Sequence, residues 1–398
     1  MLRRALVAAA VTLGLAAGCP ARAQEARPGT EQQIREVVIG AHMPLTGSLA
    51  RSGQAFDEGM RVAVRLFNET AQGLRIKLQV IDDESAPAKA VSAVEKLVSD
   101  GAVAVIGGYG SNIVGPASDA ANKLATTYIT AGAVSDELTA RGLKTFFRIN
   151  NNAGYQRGMA GLIAELKPAS VSILASTKEA PALLAKGLAR DIGAAGIKVT
   201  VHEFDPAISD FKPLINKVKL QDRSEILLMS AYENDYVGII RAARVLKPPV
   251  KLVVGAWSLA TPKMYTEFPD LMNNVVGTSF LPFPVAVKDE EGRRFAEAYR
   301  QAYGKDIEYL STLSFVETTI LAEAIAKAAE AGTLKSGGLP ETLRATDRRT
   351  LLGPVKFDAT GDNPLFSLAM GQHRSGQIVL VSPPAAATGP ISYPALPW

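Results

Sequence analysis

The stretch that decides the fold is VAVIGGYGSNIVGPASDAAN, which runs from Val103 to Asn122. The β-branched run Val103–Ile106 is typical of a buried strand, and a glycine-rich loop separates it from a helical pattern over Gly115–Leu124. A strand, a loop and a helix in this order indicate one unit of a parallel α/β sheet. The loop would then lie at the carboxyl edge of the sheet, where α/β proteins bind ligands.

This loop does not match two common functional loops. A dinucleotide-binding G-x-G-x-x-G that starts at Gly108 would need its third glycine at position 113, where the chain has Ile113. A hydrolase G-x-S-x-G would need glycines two positions before and after Ser111, and neither is present. A catalytic triad assembled in space around Ser111 stays open. The other interpretation is a loop that binds an anion, since glycines allow close backbone approach and a helix N-terminus attracts negative charge.

Strand and helix patterns alternate on both sides of this stretch, once before residue 150 and again after it. Two such runs predict two doubly wound lobes with parallel sheets. The pattern changes after residue 280, where two helices follow each other without a strand between them. The predicted strands are Val37–Ala41, Arg75–Ile81, Val103–Ile106, Thr127–Thr130, Phe146–Ile149, Val171–Leu174, Val199–Phe204, Ile226–Met229, Leu252–Val254, Val275–Phe280, Leu351–Phe357 and Ile378–Val381.

The first residues form a segment that we interpret as an export signal. A basic start, MLRR, precedes the apolar run Ala5–Gly18, and Ala21-Arg22-Ala23 provides a small-x-small cleavage site. We therefore predict a signal peptide over residues 1–23 and a periplasmic location. Ala16–Cys19 also resembles a lipobox, so the alternative is a protein held at the membrane by a lipid on Cys19.

Length and charge exclude several classes of protein. A chain of 398 residues exceeds one comfortable core. The arginines of the signal segment account for three of the four net positive charges, so we expect no nucleic-acid partner. The three histidines are dispersed, and H-E-x-x-H and C-x-x-C are absent, so we expect no metal and no cofactor. The acidic run Asp82–Glu84 is interpreted as a solvated turn.

Small polar groups and aromatic residues also follow the other predicted strands. Because loops at the carboxyl ends of parallel strands meet at one edge, these segments would face one cleft. Such a cleft suits a small ligand with an anionic end and an apolar body. The segments are His42–Ser48, Ala131–Ser135, Ser230–Asn234 and Gly255–Trp257.

The order of the elements and several local strings resemble the leucine/isoleucine/valine-type periplasmic solute-binding proteins of ABC importers, which have the type I periplasmic-binding fold. The resemblance covers nearly the whole chain after the signal segment. The strings that carry it are IGAHMPLTGSLAR at Ile39–Arg51, Asp82-Asp83 before Pro87–Ala90, Val105–Gly107 before Pro116–Ser118, Glu137–Thr139 with Phe147-Arg148, and Gly353–Asp358 with Gly361-Asp362.

The resemblance implies two lobes joined by three crossovers, which we place near Asn150–Tyr155, Ser279–Pro284 and Leu352–Lys356. An N-terminal lobe would comprise residues 36–152 and 284–353, and a C-terminal lobe residues 153–283 and 354–384. A Pro-rich tail would occupy residues 385–398. The lobes would close on a ligand by a hinge motion, and the closed form would dock on an ABC permease.

The resemblance also implies a set of ligand-binding residues. Ser111 and its neighbour Asn112 would hold the carboxylate end of the ligand, with the backbone of Gly132 and Val134. Tyr232 matches a second-lobe tyrosine of the family.

Three positions depart from the amino-acid binders. Ser52 stands where the first loop would supply an aromatic residue, Val134 lacks the usual hydroxyl, and Trp257 stands in place of the acidic residue that pairs with the ligand's ammonium group. Glu233 or Asp235 would replace that acidic residue, or both would simply form a solvated helix start.

These departures leave the ligand open between a branched-chain or neutral amino acid and an aromatic or apolar acid. An aromatic ligand would stack on Tyr109, Tyr232 or Trp257, and Arg51 would pair with its carboxylate. We predict an exported binding protein that makes and breaks no bond and delivers this small molecule to an ABC permease. The alternatives are a binding protein that signals to a membrane receptor, and a secreted α/β hydrolase.

Overall fold

Five parallel strands form the first sheet of the computed structural model, which describes residues 35–395. Their order is β2-β1-β3-β4-β5. Every residue of β3 and β4 is buried, as expected where helices cover both faces of a parallel sheet. The strands are β1 (Arg35–Met43), β2 (Leu74–Asp82), β3 (Ala104–Gly107), β4 (Thr127–Thr130) and β5 (Phe146–Arg148).

The helices of this half come from two separate parts of the chain. Four of them alternate with the strands, and α11, α12 and α13 follow much later. The long helix α12 packs along α1, where a Cβ at Gly59 would overlap Ser311 and Ser314. This half contains α1 (Ala50–Thr70), α2 (Pro87–Ser99), α3 (Ser111–Lys123), α4 (Glu137–Ala140), α11 (Glu290–Tyr303), α12 (Tyr309–Glu330) and α13 (Leu339–Arg344).

A second sheet has seven strands in the order β14-β13-β10-β9-β8-β6-β7. Strands β6 to β10 are parallel, whereas β13 and β14 pair antiparallel at one edge. Its strands are β6 (Ser170–Ser176), β7 (Lys198–Phe204), β8 (Ile226–Ser230), β9 (Leu252–Gly255), β10 (Val276–Ser279), β13 (Ala369–Arg374) and β14 (Gln377–Ser382). Its helices are α5 (Asn152–Leu166), α6 (Glu179–Ala194), α7 (Lys212–Lys217), α8 (Glu233–Leu246), α9 (Pro262–Glu267) and α10 (Pro269–Met272).

The chain passes between the two sheets three times: after β5, after β10 and after a small hairpin. The hairpin consists of β11 (Asp347–Thr350) and β12 (Gly353–Lys356). The predicted α/β class with two largely parallel sheets is therefore confirmed. The lobe boundaries given above stay a prediction. The proposed signal peptide and Cys19 lie outside the described residues. Among residues 35–395, no helix is both long and apolar enough to cross a membrane.

Near the C-terminus, one predicted strand is shorter in the structure, and another strand was not predicted. The single strand expected over Leu351–Phe357 is the turn and second strand of the β11–β12 hairpin, because Gly353 has a positive φ of 93° and reverses the chain. Strand β13 was missed, since Gly371, Gln372 and His373 interrupt its apolar pattern.

The acidic run Asp82–Glu84 is a solvated turn only in part, because Glu84 is exposed in the turn whereas Asp83 is buried, which corrects our interpretation. Asp83 is fully buried, and its Oδ2 lies 2.8 Å from Nδ1 of His42. Nε2 of His42 lies 2.6 Å from the hydroxyl of Tyr128. This buried chain of hydrogen bonds connects the carboxyl ends of β1 and β2 to Tyr128 of β4. Asp82 accepts hydrogen bonds from the backbone of Leu45 and Thr46 and so shapes the loop that leads into α1.

A buried ion pair connects three distant parts of the chain. Arg148, at the end of β5, is 1% exposed. Its Nε and Nη2 donate to the two carboxylate oxygens of Asp362 at 2.8 and 2.9 Å, and its Nη1 donates to the carbonyl of Val134 at 3.0 Å. Because Asp362 lies between β12 and β13, this pair anchors the third passage between the sheets to the loop after β4.

We predict that Asp362→Ala lowers the free energy of unfolding by about 3–5 kcal/mol, because the buried guanidinium of Arg148 then keeps only a 3.5 Å contact with the exposed Asp136 as counter-charge. Lys356→Ala, which breaks an exposed ion pair with Asp347, is the control and should cost about 1 kcal/mol or less. Denaturant unfolding of both variants measures the difference. Equal losses in the two variants would contradict the role given to this pair.

Candidate functional site

The loop after β3 turns sharply because it contains three glycines with positive φ, namely Gly107 at 95°, Gly108 at 71° and Gly110 at 95°. A side chain at these values of φ is strained. At Gly108 a Cβ would also lie only 2.7 Å from a methyl group of Val114. The turn starts α3 at Ser111, four residues before the predicted start, so that Ser111 occupies the first turn of the helix.

Beside this loop lies a small cavity of about 20 Å³, room for little more than a water molecule, so a ligand enters it only when its walls move apart. Its walls come from loops and helix starts associated with both sheets. Five aromatic side chains dominate them, and the rest are small, aliphatic or amide residues. The lining consists of Tyr109, Gly110, Ser111, Ala131, Gly132, Val134, Asn150, Tyr155, Ala180, Tyr232, Trp257, Tyr309, Leu310 and Leu313.

The aromatic side chains of the wall pack on one another. Tyr232 stacks on Trp257 with ring centroids 5.8 Å apart and an interplanar angle of 22°. Tyr109 meets the edge of Tyr232 at 6.1 Å, and Tyr155 meets Trp257 at 5.8 Å. Burial raises the pKa of each of the wall tyrosines, including Tyr309. Their hydroxyls therefore stay neutral and offer the cavity hydrogen-bonding groups without charge.

Ser111 provides a polar group with a defined orientation. Its Oγ accepts hydrogen bonds from the backbone N–H groups of Val134, at 3.3 Å, and Ser135, at 3.1 Å. These two bonds use the lone pairs of the oxygen, so the hydroxyl hydrogen is left to donate. The carbonyl of Gly132 accepts from the N–H of Gly110 at 2.9 Å. Both backbone groups that the resemblance assigned to the ligand thus have a partner within the protein, and their role in ligand binding stays a prediction.

The structure brings six of the nine predicted site residues together on the cavity wall. The other three lie outside it. Asn112 has an exposed side chain, and Ser52 is buried and lines a neighbouring depression. Arg51 lies in the same depression. The six on the wall are Tyr109, Ser111, Gly132, Val134, Tyr232 and Trp257.

A family model described as "Periplasmic binding protein" matches residues 36–377. The chain belongs to this family of periplasmic binding proteins. Its relatives include Leu/Ile/Val-binding protein homolog 7 of Brucella abortus, with 24% identity over 92% of this chain and 96% of the relative. They also include Leu/Ile/Val-binding protein BraC3 of Rhizobium johnstonii, with 25% identity over 86% of this chain and 93% of the relative. The predicted resemblance is therefore confirmed.

Solved structures confirm the type I fold of this binding protein. The leucine-binding protein LivK of Thermotoga maritima matches with a TM-score of 0.79 and 20% identity, over 87% of this chain and 98% of its own. LivJ of Streptococcus pneumoniae, solved with isoleucine, matches with a TM-score of 0.76 and 22% identity, over 86% of this chain and 98% of its own. A solute-binding protein from R. palustris, solved with benzoate, matches with a TM-score of 0.78 and 17% identity, over 91% of this chain and 97% of its own.

The hydrolase alternative is wrong, because proteins of this family bind solutes and are not enzymes. The geometry of the binding protein agrees with this. Among the described residues, no histidine lines the cavity that contains Ser111. His42 is bonded to Asp83 and Tyr128, and His202 lies 2.6 Å from Asp222 in the second sheet.

Arg51 of the binding protein has protein partners, and it is not oriented toward a ligand in the cavity. Its Nε donates to Glu233 at 2.8 Å, and its Nη1 pairs with Glu267. The expectation that Arg51 pairs with the ligand carboxylate stays a prediction, since two of its nitrogens already have carboxylate partners in the protein. Glu233, one of the two acidic residues expected to pair with an ammonium group of the ligand, is therefore paired with Arg51. The other, Asp235, accepts from the backbone N–H of Tyr232 at 3.2 Å and so caps α8.

Sequence reasoning missed the wall residues that do not follow a strand directly. Tyr155 lies in the first turn of α5, and Tyr309 begins α12. Asn150 precedes α5 and lay inside a predicted crossover. The predicted crossover at Asn150–Tyr155 could have indicated two of them, since a segment that crosses between two lobes borders the cleft between them.

Proposed function

We propose that this binding protein captures a small carboxylate with an aromatic body and delivers it to the membrane permease of an ABC importer. One observation carries the proposal. Among the described residues, those that line the cavity include five aromatic side chains and no charged one. A flat apolar body would stack on Tyr232, Trp257 or Tyr109, where aromatic contacts add to the gain from burial.

The absence of an acidic group from the described lining disfavours an α-amino acid. A buried ammonium group needs a counter-charge or several acceptors. The nearby carboxylates of Glu233 and Asp235 are held by Arg51 and by the N–H of Tyr232. A branched-chain or neutral amino acid remains the alternative ligand, because the curated relatives are named for leucine, isoleucine and valine.

The carboxylate of the ligand would bind at Ser111. The Ser111 hydroxyl has a hydrogen to donate, and it belongs to the first turn of α3, where the helix dipole and free N–H groups favour an anion. The benzoate complex of the R. palustris protein supports this interpretation only at the level of the fold, since the two chains are 17% identical. It indicates that a fold of this shape is able to hold an aromatic acid.

Isothermal titration with benzoate, leucine, isoleucine and phenylalanine tests the proposed ligand class. We expect benzoate to bind more tightly than any of the amino acids. Ser111→Ala should weaken benzoate binding by about 10- to 100-fold, the scale for a lost hydrogen bond to a charged group. Asn112→Ala is the matched control, because Asn112 is adjacent and exposed, and it should bind like the wild type.

Two results would contradict the proposal. One is tighter binding of leucine or isoleucine than of benzoate, which would show that the ligand is an amino acid. The other is equal affinity in the Ser111 and Asn112 variants, which would remove Ser111 from the site. Thermal melting of each variant checks that it is folded.

Capture would involve closure of the two proposed lobes, residues 36–152 with 284–353 and residues 153–283 with 354–384. Arg51 is placed to favour the closed arrangement. It lies in α1, beside the five-stranded sheet, and its partners Glu233 and Glu267 belong to α8 and α9, beside the seven-stranded sheet. Lys263 of α9 donates to the carbonyl of Arg51 at 3.3 Å. The closed form would then dock on the permease from the periplasm.

We expect Arg51→Met to shift the ligand-free protein toward an open form with a larger radius of gyration in X-ray scattering. Benzoate affinity should fall by about three- to tenfold, since a partly exposed ion pair contributes about 1 kcal/mol. Saturating benzoate should restore the wild-type radius. Arg61→Met is the control, because Arg61 pairs with Asp57 within α1. Loss of benzoate binding with an unchanged radius would instead make Arg51 a direct partner of the carboxylate.

A further inference from the structure

Of the ten buried side-chain polar atoms without a hydrogen-bond partner among residues 35–395, two belong to cavity-lining residues. They are Oδ1 of Asn150, an acceptor, and Nε1 of Trp257, a donor. Asn150 is 1% exposed and Trp257 6%. A buried donor or acceptor without a partner is costly, and native proteins leave few of them. The pair therefore points to a ligand group that satisfies both.

The other contacts of Asn150 define which of its atoms is free. Its Nδ2 donates to the hydroxyl of Tyr155 at 3.0 Å. The Tyr155 hydroxyl also bonds to that of Tyr309, which starts α12. The amide plane is therefore held by the side chains of the cavity wall, and Oδ1 is the arm left to accept.

The indole ring of Trp257 is equally restrained. It is stacked against Tyr232 and meets Tyr155 at an interplanar angle of 65°. With neighbours on two sides, the ring cannot turn its N–H toward another partner without breaking these contacts. Tyr155 contacts both Asn150 and Trp257, so the free acceptor and the free donor belong to neighbouring parts of the wall.

Only some chemical groups satisfy a neutral donor and a neutral acceptor together. A hydroxyl donates one hydrogen bond and accepts others, so it can meet Asn150 Oδ1 and Trp257 Nε1 at once. An ammonium group only donates, and an ether oxygen only accepts. A second carboxylate would accept from Trp257 but would set its negative charge against the oxygen of Asn150. A bare aromatic C–H edge would leave both protein atoms unpaired.

We propose that the ligand carries a hydroxyl group in addition to its carboxylate, so that the substrate class is a hydroxy-substituted aromatic acid. This inference rests on the proposed function, because it takes the carboxylate and the aromatic body from it. Asn150 and Trp257 are then the residues that determine specificity for the hydroxyl, and Ser111 holds the carboxylate.

The test compares benzoate with 2-, 3- and 4-hydroxybenzoate by isothermal titration. In the wild type, one hydroxybenzoate isomer should bind about tenfold or more tightly than benzoate, because it pairs two polar atoms that benzoate leaves unpaired. Trp257→Phe keeps an aromatic ring and removes only the N–H donor from the polar pair. The advantage is the ratio of hydroxybenzoate to benzoate affinity within one protein, and Trp257→Phe should abolish most of it. Asn150→Leu should reduce the advantage in the same way.

The outcomes separate this inference from the proposed function. If benzoate binds at least as tightly as every hydroxybenzoate in the wild type, the hydroxyl inference is wrong and the proposed function stands. An advantage that persists unchanged in both variants would overturn the role of Asn150 and Trp257. Binding of leucine without binding of any of the four aromatic acids would overturn both proposals. The wild-type comparison needs no variant to fold.

Discussion

The candidate site depends on the glycine turn between β3 and α3. Gly107, Gly108 and Gly110 adopt values of φ that other residues reach only with strain, and the turn starts the helix at Ser111. Ser111 Oγ then accepts from the N–H groups of Val134 and Ser135 and ties the loop after β3 to the loop after β4. The position of the wall residue Tyr109 follows from the same turn.

Buried polar contacts hold the surrounding frame in place. His42 and Asp83 connect the carboxyl ends of β1 and β2, and the hydroxyl of Tyr128 from β4 joins them beneath the turn. Arg148 connects β5 to the loop after β4 and, through Asp362, to the last passage between the sheets. These contacts hold the loops that carry the cavity wall, so the wall is ordered without a ligand.

The sequence was sufficient for the fold class and for the wall residues that directly follow strands, because a short β-branched run followed by a turn is a local signal. Tyr109, Ser111, Tyr232 and Trp257 were found in this way. Tyr155 and Tyr309 were not, since they reach the cavity from helix starts and only tertiary packing brings them there. The partner of Arg51 was not found either, because Glu233 lies 182 residues away along the chain.

A crystal structure of the protein with benzoate is the most direct test of the account. We predict that a carboxylate oxygen of benzoate lies within about 2.5–3.0 Å of Ser111 Oγ, the range for an O–H···O hydrogen bond. We also predict that the ring packs against the aromatic wall formed by Tyr109, Tyr232 and Trp257. A benzoate whose carboxylate is turned away from Ser111 toward Arg51, or that lies outside this cavity, would contradict it.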